Sequence, residues 1–176
     1  MANKFTYQVL RDTTTDAVIK LTGQFDGSSG NEANNARVAA NSLYGALNTT
    51  GGLLSVGGTA LSYYELQLMA AQYFVSMSTA SPPGSVEVFW AGNTTANNAT
   101  IFYLNGNGEY GSQQNPAIYN NAVNPNGNLG INTYGVSSNT AYTLILTFRK
   151  NNAMYQRGQY NDPAAFNFGS YALQPR

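Results

Sequence analysis

Three glutamates, Glu65, Glu87 and Glu109, lie in or beside short runs of alternating apolar residues. Glycoside hydrolysis needs only two carboxylates across a sugar cleft, one as general acid and one as nucleophile or base. Glu87 stands two positions before the bulky pair Phe89 and Trp90, where such a cleft would be lined. Sugar clefts, however, usually stack substrate on several indoles, and this chain has a single Trp. Tyr63, Tyr64, Tyr73 and Trp90 could instead form a carbohydrate-binding face without catalysis. The plainer reading is that strand aromatics pack a sheet.

A second concentration of reactive types is "RKNNAMYQRGQYNDPAAFNF", residues 149 to 168. Arg149, Lys150, Arg157 and Asp162 alternate there with Tyr155, Tyr160, Phe166 and Phe168. Stacking with phosphate contacts is one chemistry such a stretch offers. Across the chain, however, 8 Lys and Arg balance 8 Asp and Glu, so no net field draws it to nucleic acid or to an anionic membrane. Arg and Tyr are enriched where proteins grip one another, so these eight residues are expected at a subunit interface. Pro163 disfavours a helical Asp162. The expectation is an extended C-terminal arm, 151–176, following a domain of residues 1–150. Its aromatics would insert into a neighbour or into the subunit's own sandwich, and Arg157 would bond carbonyls or Asp162.

Other motifs carry less. "GNGEYG" matches G-x-G-x-x-G, but a dinucleotide site needs a helix to start there and an acid about twenty residues later. Pro116 follows instead, so the glycines read as a turn. The Asn48, Asn93 and Asn98 tripeptides fit the glycosylation pattern, yet "MANKFTYQVL" lacks a signal peptide's form. "FDGSSGNE", with Asp26 and Glu32, lacks the alternating oxygen ligands of a calcium loop. The chain has no His and no Cys, which removes the commonest catalytic base and all thiolate chemistry. No catalytic residue, cofactor or metal is expected, and the protein is read as non-enzymatic.

The elements that would carry these residues are strands. "AYTLILTFR" sets Tyr142, Leu144, Leu146 and Phe148 on one face, with Thr143, Ile145, Thr147 and Arg149 on the other. "KFTYQVL" does so with Phe5, Tyr7 and Val9, "DAVIKLTGQF" with Ile19, Leu21 and Phe25, and "AQYFVSMS" with Ala71, Tyr73, Val75 and Met77. "SVEVFW" follows a Pro-Pro-Gly turn, and "ATIFYL" and "NLGINTY" are shorter candidates. In "NEANNARVAANSLYGALN", 31–48, Ala36, Ala40, Leu43 and Leu47 recur at helical spacing, while Asn41 and Gly45 oppose a helix; helix and extended chain both stay open. About eight short strands between Gly, Asn and Pro turns predict an all-β, single-domain sandwich, jelly-roll-like or immunoglobulin-like.

The surface of that sandwich should be unusual. Charged residues are 9% of the chain, against about 25% in an ordinary soluble domain. Solubility rests on 23 Asn and many hydroxyls. Few charges need desolvating at a contact, which favours permanent assembly.

The ordered set "VIKLTGQFDG", "SLYGALN", "VEVFWAG", "IFYLNGNGEYG", "GNLGINTYG" and "AYTLILTFRKN" resembles small virion structural proteins of tailed phages, especially marine cyanophages. The likeness spans roughly residues 16 to 168 and rests on turns and strands. Asn105 stands where the pattern has Ser, and Asn128 where it has Asp. The resemblance implies a jelly-roll-like subunit of a virion made in a bacterial cytoplasm, most commonly a capsid decoration or cement protein. Its partners would be the major capsid protein and sister copies, a trimer being one arrangement, with no nucleic acid and no membrane. A neck or tail adaptor is the nearest alternative, and a glycan-binding or glycan-cleaving jelly roll the rival from another class.

Overall fold

The structure is a computed structural model that describes residues 3–27, 30–46, 55–56, 59–60, 66–77, 83–111, 116–150 and 155. Its strands are β1 (Lys4–Asp12), β2 (Asp16–Gln24), β3 (Asn35–Val38), β4 (Ser55–Val56), β5 (Thr59–Ala60) and β6 (Leu66–Ser76). They continue with β7 (Ser85–Gly92), β8 (Ala99–Leu104), β9 (Gly106–Tyr110), β10 (Pro125–Tyr134) and β11 (Ala141–Lys150).

A first sheet has the order β1-β2-β11-β6-β9 and a second the order β3-β10-β7-β8, with β4 and β5 forming a separate ribbon. Leaving aside β1 and that ribbon, eight strands pair in a nested series. The outermost pair is β2 with β11, then β3 with β10, then β6 with β9, and innermost β7 with β8, all antiparallel. This is one long hairpin wrapped into two facing sheets, the jelly-roll topology, with β1 added outside β2. The all-β sandwich expected from the strand pattern is therefore present.

The core lies between the sheets. Ala17, Ile19 and Leu21 of β2 and Tyr142, Leu144, Leu146 and Phe148 of β11 face Val86, Val88 and Trp90 of β7 and Leu129 and Ile131 of β10. Trp90 and Phe148 meet across the gap with ring centroids 6.3 Å apart. On β6 the inward set changes phase: Leu66 and Leu68 are buried, then Ala71 and Val75. The register against β11 slips between Thr147 and Phe148, so one extra residue on β6 turns the even positions outward and the odd ones inward. β1 overhangs the four-stranded sheet. Its Phe5 packs on Phe25 at 5.6 Å and lies under Arg37 at 4.3 Å, while Tyr7 and Val9 on the same face stay half exposed.

The segment with helical spacing resolves as extended chain. Residues 35–38 form β3, and only Ala40–Ser42 make a short 3₁₀ turn. Asn34 adopts φ 52° just before it, and β10 offers an open edge for pairing that outweighs the weak helical preference. Asparagine explains much of the loop structure. Asn124 and Asn139 also take positive φ, which Asn tolerates better than most residues. Asn98 Oδ1 accepts from Gly92 N at 3.0 Å, Asn128 Oδ1 from Ala40 N at 3.0 Å and Asn31 Oδ1 from Val136 N at 3.2 Å. Side-chain amides thus supply the partners that loop backbones lack. At position 128 Asn retains the acceptor oxygen that an Asp would offer there.

Candidate functional site

Glu87 is central to the most organised polar cluster. It lies on β7, directly opposite Tyr103 of β8 and Asn132 of β10, so three side chains emerge together on the outer face of the second sheet. Thr100, opposite Phe89, and Tyr134, two residues beyond Asn132, complete the group. Asn132 Nδ2 donates to Glu87 Oε2 at 2.8 Å and the Tyr134 hydroxyl to the same oxygen at 2.6 Å, while Thr100 donates to Oε1. Glu87 is only 6% exposed, whereas Tyr103 is 65% and Tyr134 43% exposed. The two rings lie side by side with centroids 6.3 Å apart, inclined at 46°, their hydroxyls turned to the carboxylate.

The electrostatics follow from that enclosure. Burial alone would raise the Glu87 pKa, but hydrogen bonds from Asn132, Thr100, Tyr134 and Tyr103 together outweigh it and hold the carboxyl below its usual value. Reciprocally, the bond to Glu87, then burial, pushes the Tyr134 phenol up to about 12. Asn132 is itself fixed, its Oδ1 accepting from Asn34 N at 2.5 Å. Beside the cluster Phe89 folds over Gly130 of β10, where a Cβ would come within 2.3 Å of the Phe89 ring. This outward-facing phenylalanine is thereby only 2% exposed.

Glu87 and Glu109, two of the three glutamates weighed for glycoside hydrolysis, do not meet. Glu109 on β9 is opposite Gln72 of β6 on the outer face of the first sheet, whereas Glu87 is on the outer face of the second. The sandwich thickness lies between them, so they cannot flank one bond. Glu65, Tyr63 and Tyr64 are outside the described residues. Trp90 is fully buried and cannot stack a ligand, because inward-facing positions of β7 alternate through it.

The expected interface residues divide. Arg149 is an exposed residue near the end of β11, opposite Asp16. Lys150 turns inward: 2% exposed, it pairs with Asp12, donates to the Thr13 and Tyr44 carbonyls at 2.6 and 2.8 Å, and lies 5.1 Å from the Tyr155 ring centroid. Tyr155 is buried too, donating from its hydroxyl to the Ala40 carbonyl at 2.8 Å. Within the subunit, then, these two side chains lock the end of β11 to the β1–β2 turn and the segment after β3. Arg157, Tyr160, Asp162, Phe166 and Phe168 lie outside the described residues.

Other motifs resolve simply. "GNGEYG" supplies strand β9 rather than a turn, with Gly106 and Gly111 at positive φ bounding it. Glu32 is consumed by Arg37 and by the Tyr142 hydroxyl at 2.8 Å; burial, then the Glu32 charge, raises Tyr142 far above the ordinary phenol range. Among the described residues no three carboxylates gather to hold a metal. An open depression of about 510 Å³ at one end of the first sheet is lined by Phe74, Met77, Asn105, Asn107 and Thr143, and by Tyr142, whose hydroxyl is engaged by Glu32.

Tyr103, Tyr134, Asn132 and Thr100 were not singled out by sequence. They are separated from Glu87 by 13 to 47 positions, and only the pairing of β7 with β8 and β10 brings them together. No family model matches the chain, and neither does any curated protein or solved structure.

Proposed function

We propose that the chain is a non-enzymatic structural subunit of a phage virion, acting as a capsid decoration or cement protein through contact area. The observation that carries this reading is where large side chains meet solvent. Tyr7, Val9 and Leu10 on β1, Phe74 on β6, Tyr103 on β8 and Tyr134 on β10 are all exposed on strands, the rigid part of the fold. With 9% charged residues around them, such surfaces lose little solvation on being covered. Many modest contacts repeated over a shell then add through multivalency.

The buried carboxylates support the same view. Glu32 and Glu87 are each engaged by donors of their own subunit, an arrangement that stiffens a scaffold. Viral shell proteins, lectins and cupins share the jelly roll, which adds an analogy of fold only. The resemblance of the turn and strand motifs to cyanophage virion proteins supplies the assignment to a particle. The partners proposed are the major capsid protein and sister copies. Particles assembled without this chain should form but inactivate faster on heating, and purified protein added back should restore them. Equal heat resistance with and without the chain would remove the cement role.

A further inference from the structure

The cluster around Glu87 has a property that its role as a scaffold does not use. Among the described residues every partner of this buried carboxylate is neutral: a threonine, an asparagine and tyrosines. The other buried carboxylate of the described residues, Glu32, has a cation in Arg37, and the part-buried Asp12 has one in Lys150. Nor is a cation supplied from the neighbouring sequence, since Glu109 is the sole charged residue between Ala91 and Phe148. A full negative charge therefore sits at the hydroxyl ends of two exposed rings, with no cation of the described residues paired to it.

We propose that Tyr103, Tyr134 and Glu87 form a receptor for a guanidinium group, presented by an arginine of a partner protein. This rests on the contact-surface reading above and names the chemistry of one contact. Three features select the ligand. Aromatic faces attract cations through their quadrupole, most strongly where water is partly excluded. The carboxylate at the hydroxyl ends of the rings adds a charge attraction. The phenol and threonine hydrogens are already directed at Glu87, so the hydroxyl oxygens retain acceptor capacity, which suits a group that carries five donors and no acceptor. The inclined rings, 6.3 Å apart at 46°, form a shallow wedge, and a planar guanidinium can lie against one face while its edge reaches a phenol oxygen. An uncharged sugar gains from the rings but not from the charge. It also brings hydroxyl donors and acceptors to a site where Asn132 has both ends occupied.

The test is a titration of the full chain with N-acetyl-arginine methylamide, followed through the NMR signals of Tyr103, Tyr134 and the Asn132 amide. N-acetyl-citrulline methylamide, which has the same shape without the charge, and cellobiose serve as comparisons. The arginine probe should move these signals with saturation, and citrulline and cellobiose should bind at least about fivefold more weakly. Glu87→Gln, and independently Tyr103→Leu at a position 65% exposed, should each weaken the arginine probe by about fivefold or more. Citrulline or cellobiose binding as well as arginine, or undiminished arginine binding by Tyr103→Leu, would overturn the proposal. Because no particle is involved, the outcome is independent of whether the chain occupies a virion.

Discussion

The Tyr134 hydroxyl donates a 2.6 Å hydrogen bond to Glu87 Oε2, tying β10 to β7 across the outer face of the second sheet. Phenol and carboxylate share a proton-bearing contact, so each sets the other's titration.

Tyr134 should ionise near 12 rather than at 10.0. Since its folded value lies above the unfolded one, the bond contributes stability that is complete below pH 10.0 and fades as the pH climbs toward about 12. An ultraviolet titration of the parent and Tyr134→Phe should differ by one late-titrating phenol. In Glu87→Gln that phenol should return toward its ordinary value.

Glu87 titrates in the opposite sense. Its folded pKa lies below 4.5, so its contribution is present above that pH and is lost as the pH falls through the lower folded value. Denaturant midpoints followed from neutral into acid should decline more steeply for the parent than for Glu87→Gln. At neutral pH that substitution should cost about 1–3 kcal/mol, the range for disrupting a buried bonded group.

Lys150→Met strips the donor from Asp12 and from the Thr13 and Tyr44 carbonyls at once. Removing one partner of a buried ion pair costs roughly 3 kcal/mol or more, which for a chain of this size lowers Tm by roughly 6–12 °C. Calorimetry of the variant measures this directly. An unchanged Tm would mean that the end of β11 is not anchored as described.

These anchors show what the sequence could and could not disclose. Period-two alternation placed β2, β7 and β11 and their core faces, because strands half-buried against a partner sheet must alternate. The same alternation on β1 named Phe5, Tyr7 and Val9 correctly as one face, but gave no sign that the second sheet stops short of it. Leu66 and Leu68 were hidden by the bulge on β6, since an added residue inverts the parity that pattern reading depends on. The helical spacing of Ala36, Ala40 and Leu43 was outweighed by strand pairing with β10. Lys150 drew notice for its charge, yet its burial depends on Asp12, 138 positions away. Glu87 was legible as an acid on a strand, while its tyrosines were not, because cross-strand neighbours are a property of register.

Gly130 tests the packing beside that cluster. Alanine there would place its Cβ 2.3 Å from the Phe89 ring, so Gly130→Ala should cost about 1–3 kcal/mol by overpacking. Phe89→Leu in the same chain should recover part of the loss. A double-mutant cycle reads this coupling, and strict additivity would contradict the contact.

The central claim is that this jelly roll is built into a particle and works by covering area. Quantitative mass spectrometry of purified virions tests it most directly, with the chain's copy number referred to the major capsid protein. The account predicts a copy number comparable with the shell protein's, far above that of tail components. Absence of the polypeptide from purified particles would contradict the account.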